Sequence, residues 1–536
     1  MKLQSTEPGV VPAARIDRRE LRRLIAGCMV LVVLFGFVVS ASMGAGDLDR
    51  LYRANFYMDH DHIPATHVVV GGGAAHTCAL TTGGGVRCWG YNGYGRLGDG
   101  TTNDSLTPVN VMGLTANAIS LGGGWGHTCA LMSWGGVRCW GANGSGQVGD
   151  GTSQNRYTPV NVAYLGSGVA QISVGLWHSC VVTTSGGVKC WGAGENGRLG
   201  DGAETVRRTP VDVVGLQSGV AAVAAGGAHT CALLHTGAVK CWGANNLGAL
   251  GDGTTVHERL APVDVVGLSA GAVAITAGDS HTCALMLDGS IRCWGYNGNG
   301  QLGDGTTSQR NTPVTVQANG KAFIAVAAGL GHTCALTEQH QVQCWGANGS
   351  GKLGDGSMID HYTPASVMGI TGDISAIGVG YPVSCARLPG GALKCWGANA
   401  YGTVGDGTTT NRLLPTDVSG FSTTLLANYT YGRQGSYFSL TGSLFPASDT
   451  AVISANGHIL GSVPTDSTGN LAFQLSTDNA DNGFYVIQAA VNPRATTYLV
   501  IDPAAPLHPP GSAGSLINLP AEIALTNFVF LPVVVR

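Results

Sequence analysis

An all-β chain, a seven-bladed β-propeller followed by a small β-sandwich and preceded by one hydrophobic helix, is predicted by three observations. They are a 51-residue unit repeated seven times, a glycine-rich and charge-poor composition, and an uncharged apolar run near the N-terminus. The repeat is seen in its fifth copy as HTCALMLDGSIRCWGYNGNGQLGDGT, His281 to Thr306. Its first cysteine recurs at Cys78, Cys129, Cys180, Cys231, Cys283, Cys334 and Cys385, at intervals of 51 residues except for one of 52 between Cys231 and Cys283. So little drift over residues 67–421 means one architecture, not a string of separate domains.

Composition narrows the class further. The chain has 536 residues, 84 of them glycine, and only 11% are charged, which suits short strands joined by tight turns better than a helical enzyme. A net charge of -4, with no cluster of Lys and Arg after residue 60, argues against nucleic acid as a partner, because phosphate neutralisation needs such a cluster.

In the N-terminal region, a basic leader (1–23) holds Arg15, Arg18, Arg19, Arg22 and Arg23, and precedes LIAGCMVLVVLFGFVVSA, residues 24–41. Basic residues stay on the cytoplasmic side, so the sequence after the run is expected to be translocated. The run is just long enough to span a membrane as a helix. Val39-Ser40-Ala41 is an acceptable cleavage site, so retained anchor and cleaved signal both stand. The expected location is the cell envelope or the extracellular space, with the membrane contacted through residues 24–41 where they are not cleaved. Residues 42–66 read as a linker.

Within each repeat, HTCAL alternates, a glycine-containing turn follows and V-x-C-W-G returns, which predicts a hairpin. Ala118 to Gly122 supplies a strand before it and Thr158 to Val162 is typical of one after it, giving four strands per repeat, as a propeller blade requires. The cysteines lie ten apart: Cys78 and Cys88, Cys129 and Cys139, Cys180 and Cys190, Cys231 and Cys241, Cys283 and Cys293, Cys334 and Cys344, Cys385 and Cys395. An even separation across a short turn sets the two side chains opposite one another on one face, within reach of a disulfide. Seven such bridges fit the oxidising compartment that the N-terminus implies. A zinc site in each blade lacks a fourth ligand at a fixed position, and Val383 replaces the histidine in the last copy.

These motifs, HTCAL followed by C-W-G-x-N-x-x-G-x-L-G-D-G-T, resemble the repeat of the regulator of chromosome condensation family over about two thirds of the chain. The resemblance implies a seven-bladed propeller. The nuclear member of that family exchanges guanine nucleotide on a small GTPase and sits on chromatin. This chain has an export signal, cysteine pairs and no basic tail, so neither role transfers. Its setting is more similar to secreted bacterial members, among them a propeller-type β-lactamase inhibitor, which present loops to a protein partner.

A residue repeated in every blade is expected to be scaffold, since catalysis needs a singular constellation. On this basis Trp89, Trp140, Trp191, Trp242, Trp294, Trp345 and Trp396 pack between blades. His76, His127, His178, His229, His281 and His332 hydrogen-bond neighbouring backbone. Asp99, Asp150, Asp201, Asp252, Asp304, Asp355 and Asp406 accept backbone N–H groups in their G-D-G turns. No cofactor, metal or catalytic motif is called for, and the chain is read as a non-enzymatic scaffold; an extracellular polymer hydrolase working at the channel mouth is the alternative.

The segment after G-D-G-T varies between copies and is read as a ring of partner-binding loops. Its candidates are Arg156, Tyr157, Arg207, Arg208, His257, Glu258, Arg259, Arg310, Asp360, His361, Tyr362 and Arg412, facing an unknown protein or cell-surface polymer. After Phe421 the period stops. Residues 423–501 alternate at intervals of about ten without cysteine and loosely resemble immunoglobulin-like sandwiches, with a hairpin turn at Asn456-Gly457. Residues 502–517 read as a Pro/Gly/Ser linker and 518–536 as an apolar tail too short to span a membrane.

Overall fold

The computed structural model describes residues 68–518 apart from 71–75, 82, 371–373, 382, 389–390, 422–423, 428–430, 435, 444–449, 457, 467–470, 481–482, 491–493, 502–506 and 509–514. The basic leader, the apolar run 24–41, the linker 42–66, most of the linker 502–517 and the apolar tail beyond Asn518 lie outside the described residues. Among the described residues no helix is long and apolar enough to cross a membrane.

Residues 68–417 form seven four-stranded antiparallel sheets, each built from four strands consecutive in sequence. In blade five the strands are Ala272–Ala277, His281–Met286, Ile291–Gly295 and Arg310–Thr315. The first strand of each blade lies beside the first strand of the next, and Ala376–Val379 of blade seven lies beside Val68–Val70 of blade one. The innermost strands therefore close into a ring. Because blades one and seven are each contiguous, closure involves no exchange of strands between the two ends of the repeat region. These inner strands carry Val, Ala, Ile, Gly, Ser, Thr, Leu, Phe and one Gln, and no charged residue.

The hairpin of each blade has the register expected from its cysteines. In blade five Thr282 faces Trp294, Cys283 faces Cys293 and Ala284 faces Arg292. All seven cysteine pairs are disulfides across this hairpin, and every one of the fourteen residues is buried. The outermost strand starts earlier than the alternation suggested, at Arg156 instead of Thr158 in blade two.

The hydrophobic core lies in the seams between blades. Cys283, Leu285, Ile291, Cys293, Leu302 and Val316 pack with Phe323, Ala335 and Trp345 of blade six. The last seam repeats the pattern: Val383, Leu393, Val404, Val418 and Phe421 pack with Ala79 and Trp89 of blade one. Trp89 and Phe421 lie 5.5 Å apart between ring centroids.

Beyond the propeller, two further sheets follow. One orders its strands as Thr424–Ala427, Tyr437–Ser443, Leu471–Ser476 and Ser515–Asn518, and the other as Tyr431–Gly432, Arg494–Ile501, Gly483–Ala490, Thr450–Ala455 and His458–Pro464. Phe438, Leu440, Phe473 and Leu475 of the first share one buried cluster with Ile453, Tyr485 and Ile487 of the second. The turn at Asn456 has φ +48, the left-handed conformation that a tight hairpin demands. Ser515–Asn518, which composition assigns to the end of the linker and the first residue of the tail, pairs in parallel with Leu471–Ser476. Its Leu516 and Ile517 alternate outward and inward, and Ile517 joins the core.

Two outcomes check this arrangement. Alkylation of the oxidised chain before reduction is expected to label no cysteine other than Cys28, as read by peptide mass spectrometry; labelling at Cys283 or Cys293 contradicts the bridge. Replacing that pair with alanine is expected to lower stability by about 2 to 3 kcal/mol, the loop-closure value for so short a loop, measured by urea denaturation.

Candidate interaction face

Six of the seven seams are joined by the same four groups. At the seam of blades five and six, the Gln301 carbonyl accepts the Trp345 indole N–H at 3.0 Å and the Thr333 hydroxyl at 2.9 Å. The Thr333 oxygen lies 2.9 Å from His281 Nε2. The only proton of that hydroxyl goes to the carbonyl, so the histidine must be the donor, and the ring is the neutral Nε2–H tautomer. The arrangement recurs with His76 and Thr128, His127 and Ser179, His178 and Thr230, His229 and Thr282, and His332 and Ser384. At the closing seam Trp89 and Thr77 both donate to the Thr403 carbonyl at 2.9 Å, and the histidine's place is taken by Val383. The histidines thus bond a hydroxyl of the next blade, not backbone as the sequence suggested. The correction follows from the periodicity: the ring projects from the blade edge, where the neighbouring blade's Thr or Ser has already engaged the nearest carbonyl.

Burial pushes His127 and His281 down to about 3 and His229 to about 4, and holds His178 and His332 well below the usual range. None of these five is poised for proton transfer near neutral pH. The first glycine of each G-D-G explains its own repetition. Gly303 has φ +69, and a Cβ there would come within 2.7 Å of the Trp345 indole nitrogen, so only glycine lets the next blade's tryptophan close.

The aspartates organise the long loop between the third and fourth strands. Asp304 Oδ1 accepts the Thr306 N–H, the Thr306 hydroxyl and the Asn297 amide, while Oδ2 accepts Arg310 Nε at 2.9 Å. Burial raises this carboxyl's pKa, but the bonds from Thr306 and Arg310 outweigh it and hold the group below the usual carboxylate range. Asn297, fully buried, also accepts the Leu302 N–H, so the loop is cross-braced from within.

This network settles where half of the sequence-predicted loop residues go. Arg156, Arg207, Arg259, Arg310 and Arg412 each bond the aspartate of their own blade, Asp150, Asp201, Asp252, Asp304 and Asp406, and His361 bonds Asp355 at 2.8 Å. They lie at the start of the outermost strand and belong to the blade's bracing. Asp360 is likewise engaged, accepting the Asn348 N–H at 2.7 Å, and Glu258 contacts His257 and Asn196. Tyr157, Arg208, His257 and Tyr362 remain exposed. Tyr157 and Tyr362 lie across the seams against Gly95 and Gly300 of the preceding blades.

In an antiparallel blade, the loops between strands one and two and between strands three and four share one end. At that end lies a group that sequence reasoning missed. Tyr401 and Tyr91, of blades seven and one, make one ring contact, and Tyr94, Trp125 and Trp177, of blades one, two and three, make two more. Their signal was visible as departures from the repeat: at the Tyr94 and Tyr401 position the other blades carry Ser145, Asn196, Leu247, Asn299 and Ser350. Among the described residues no group of His, Cys, Asp and Glu is placed to hold a metal ion.

The comparisons with known proteins agree with this geometry. The RCC1-like domain matches residues 202–443, and the regulator of chromosome condensation (RCC1) repeat matches 83–131 and 135–182. The chain is 32% identical over 344 residues to the ultraviolet-B receptor UVR8 of Arabidopsis thaliana, covering 63% of this chain and 77% of that protein. It is 31% identical over 307 residues to the human E3 ubiquitin-protein ligase HERC2, but spans only 6% of that ligase. Among solved structures, Prp20p of Saccharomyces cerevisiae superposes with a TM-score of 0.56 at 20% identity, covering 67% of this chain and 89% of that one. Yeast RCC1 bound to Kap60 gives 0.57 at 20% identity, covering 73% and 91%. At that identity, the two superpositions establish the fold alone.

The seams make stability depend on acid. Five histidines have folded pKa values below the unfolded value near 6.5, so their contribution is full above that pH and is lost as the pH falls toward 4 and 3. The unfolding free energy from urea denaturation is expected to fall between pH 7 and pH 5, by up to about 1.4 kcal/mol per pH unit for each histidine. His281→Val, the residue that blade seven uses, is expected to flatten that slope by about one proton; an unchanged slope contradicts the assignment.

Proposed function

Since the chain belongs to the regulator of chromosome condensation repeat family, we propose that it works as an exported, non-enzymatic scaffold that docks a macromolecular partner on the loop end of its propeller. The observation that carries this reading is the division of labour among the residues. The repeated Trp, His, Thr/Ser, Asn and Asp side chains are buried or bonded in the scaffold, while large side chains that vary between blades stand exposed at one end. Tyr and Trp on a rigid frame are the anchors that protein interfaces use most. The relatives support a protein partner: yeast RCC1 has been solved bound to Kap60, and Prp20p of Saccharomyces cerevisiae binds Gsp1p and histones. With no basic cluster after residue 60, the partner of this chain is taken to be a protein or cell-surface polymer and not nucleic acid.

Export is part of the same proposal. Five arginines before an apolar run of membrane-spanning length argue for it, and so do seven buried disulfides, which persist in oxidising compartments. Residues 24–41 then act as anchor or signal, and the two sheets of residues 424–518 act as an immunoglobulin-like sandwich carried beside the propeller. The setting matches secreted, surface-exposed bacterial members of the family.

Affinity capture with the purified, oxidised chain on an extracellular fraction tests the reading. The combined variant Tyr157→Ala, Arg208→Ala and Tyr362→Ala is expected to weaken the captured partner at least tenfold while circular dichroism shows the fold retained. By contrast Arg156→Ala, which breaks the bond to Asp150, is expected to lower the midpoint. Export is abandoned if fractionation finds the chain in the cytoplasm with free thiols.

A further inference from the structure

At the loop end a row of aromatic rings, two sets of ring contacts bridged by Arg96, departs from sevenfold repetition and has a defined chemistry. Tyr401 and Tyr91 lie 5.0 Å apart, Tyr94 and Trp125 5.9 Å, and Trp125 and Trp177 stack at 4.5 Å. Beneath the middle of this row is Arg96, fully buried, its guanidinium 4.6 Å from the Tyr91 ring centre, 5.4 Å from that of Tyr94 and 5.5 Å from that of Trp125. Its Nη1 donates to the Trp125 carbonyl at 3.0 Å, tying blade one to the inner loop of blade two. One buried cation therefore holds three rings in place, so the row is rigid before any ligand arrives.

The same arrangement restricts what the row can take. A cationic ligand, the usual occupant of an aromatic cage, meets the field of Arg96 directly under the rings, which offsets the attraction of the Asp104 carboxylate beside it. An anion finds no exposed cation in the row, because Arg96 is covered, and it meets the carboxylate of Asp104, which is exposed nearby and accepts the Asn92 N–H. The ligand is therefore neutral. A sugar chain is held largely by planar amide side chains around its hydroxyls, yet the amides in the loops that carry the tyrosines, Asn92 and Asn399, are buried and bonded inside those loops. What the rings themselves offer is ring faces with phenol O–H and indole N–H donors at their edges. An extended proline-rich segment wants that combination: apolar pyrrolidine ridges to lie between rings, and backbone carbonyls that lack partners.

We propose that the row from Tyr401 through Tyr91, Tyr94 and Trp125 to Trp177 binds an uncharged, proline-rich segment of the partner in polyproline II conformation. This rests on the protein-binding reading above and names the chemistry of the partner. The rings supply stacking faces for alternate prolines, and their O–H and N–H groups donate to the segment's carbonyls.

The test uses the full oxidised chain and a synthetic peptide of repeated Ala-Pro-Pro, followed by isothermal titration calorimetry and by quenching of tryptophan fluorescence. Saturable binding is expected, weakened about tenfold by Trp177→Ala and by Tyr401→Ser. Both changes are compatible with the fold, since Ala228 and Ser145 occupy the corresponding places in other blades. Met368→Ala, at an exposed connector residue outside the row, is expected to leave affinity unchanged. Circular dichroism and the unfolding midpoint confirm that each variant is folded. Absence of saturable binding, binding indifferent to both substitutions, or selective binding of a soluble neutral glucan with the same tenfold losses would overturn the proposal. Retention of the captured protein partner by the Trp177→Ala, Tyr401→Ser double variant would also overturn it while leaving the protein-binding reading intact.

Discussion

The interaction on which the propeller depends is a backbone carbonyl in each long loop that accepts two donors from the next blade. A carbonyl oxygen has two lone pairs, and in the seams one takes an indole N–H while the other takes a Thr or Ser hydroxyl, as at Gln301 and Thr403. Both acceptor sites are filled from the same neighbour, so the geometry fixes the direction from which that neighbour approaches. Repeating one approach seven times turns a string of sheets into a ring, and the last seam obeys the same rule as the other six. A seam whose carbonyl was left without donors would bury an unpaired acceptor at a cost of about 1 to 3 kcal/mol.

Magnitudes order the remaining contributions. Removing a tryptophan side chain of roughly 150 to 250 Å² from water is a gross gain of about 4 to 6 kcal/mol at the usual area coefficient, before ordering costs are set against it. A disulfide over a short hairpin contributes about 2 to 3 kcal/mol by restricting the unfolded chain. The tryptophans thus hold blades to one another, and the cystines stiffen each blade within itself. Because Cys283 and Cys293 lie in the same buried cluster as Trp345, the two effects act on one seam.

The scaffold's demand for polar side chains explains why so few repeated residues are left for chemistry. The aspartates are filled by threonine and arginine, the asparagines brace their loops from inside, and the buried histidines are held neutral between blades. Recognition therefore falls to positions where the repeat tolerates substitution. At the loop end these positions are supported by a rigid frame, so an aromatic side chain there is positioned without being required for folding.

The seven-bladed repeat, the cysteine pairing and the hairpin register were legible in the sequence alone, because each is a matter of local spacing: ten residues across a turn place Cys283 opposite Cys293 whatever surrounds them. The Asn456 hairpin turn was legible for the same reason. Long-range contacts were not. That Arg156 and Arg310 turn back to their own aspartates, that His281 donates to a hydroxyl 52 residues away, and that Ser515–Asn518 joins a sheet in parallel all depend on where the chain returns in space. The Tyr401 to Trp177 row is the clearest case. Its members come from four blades, with hundreds of residues between the first and the last, and only closure of the ring brings Tyr401 to 5.0 Å from Tyr91.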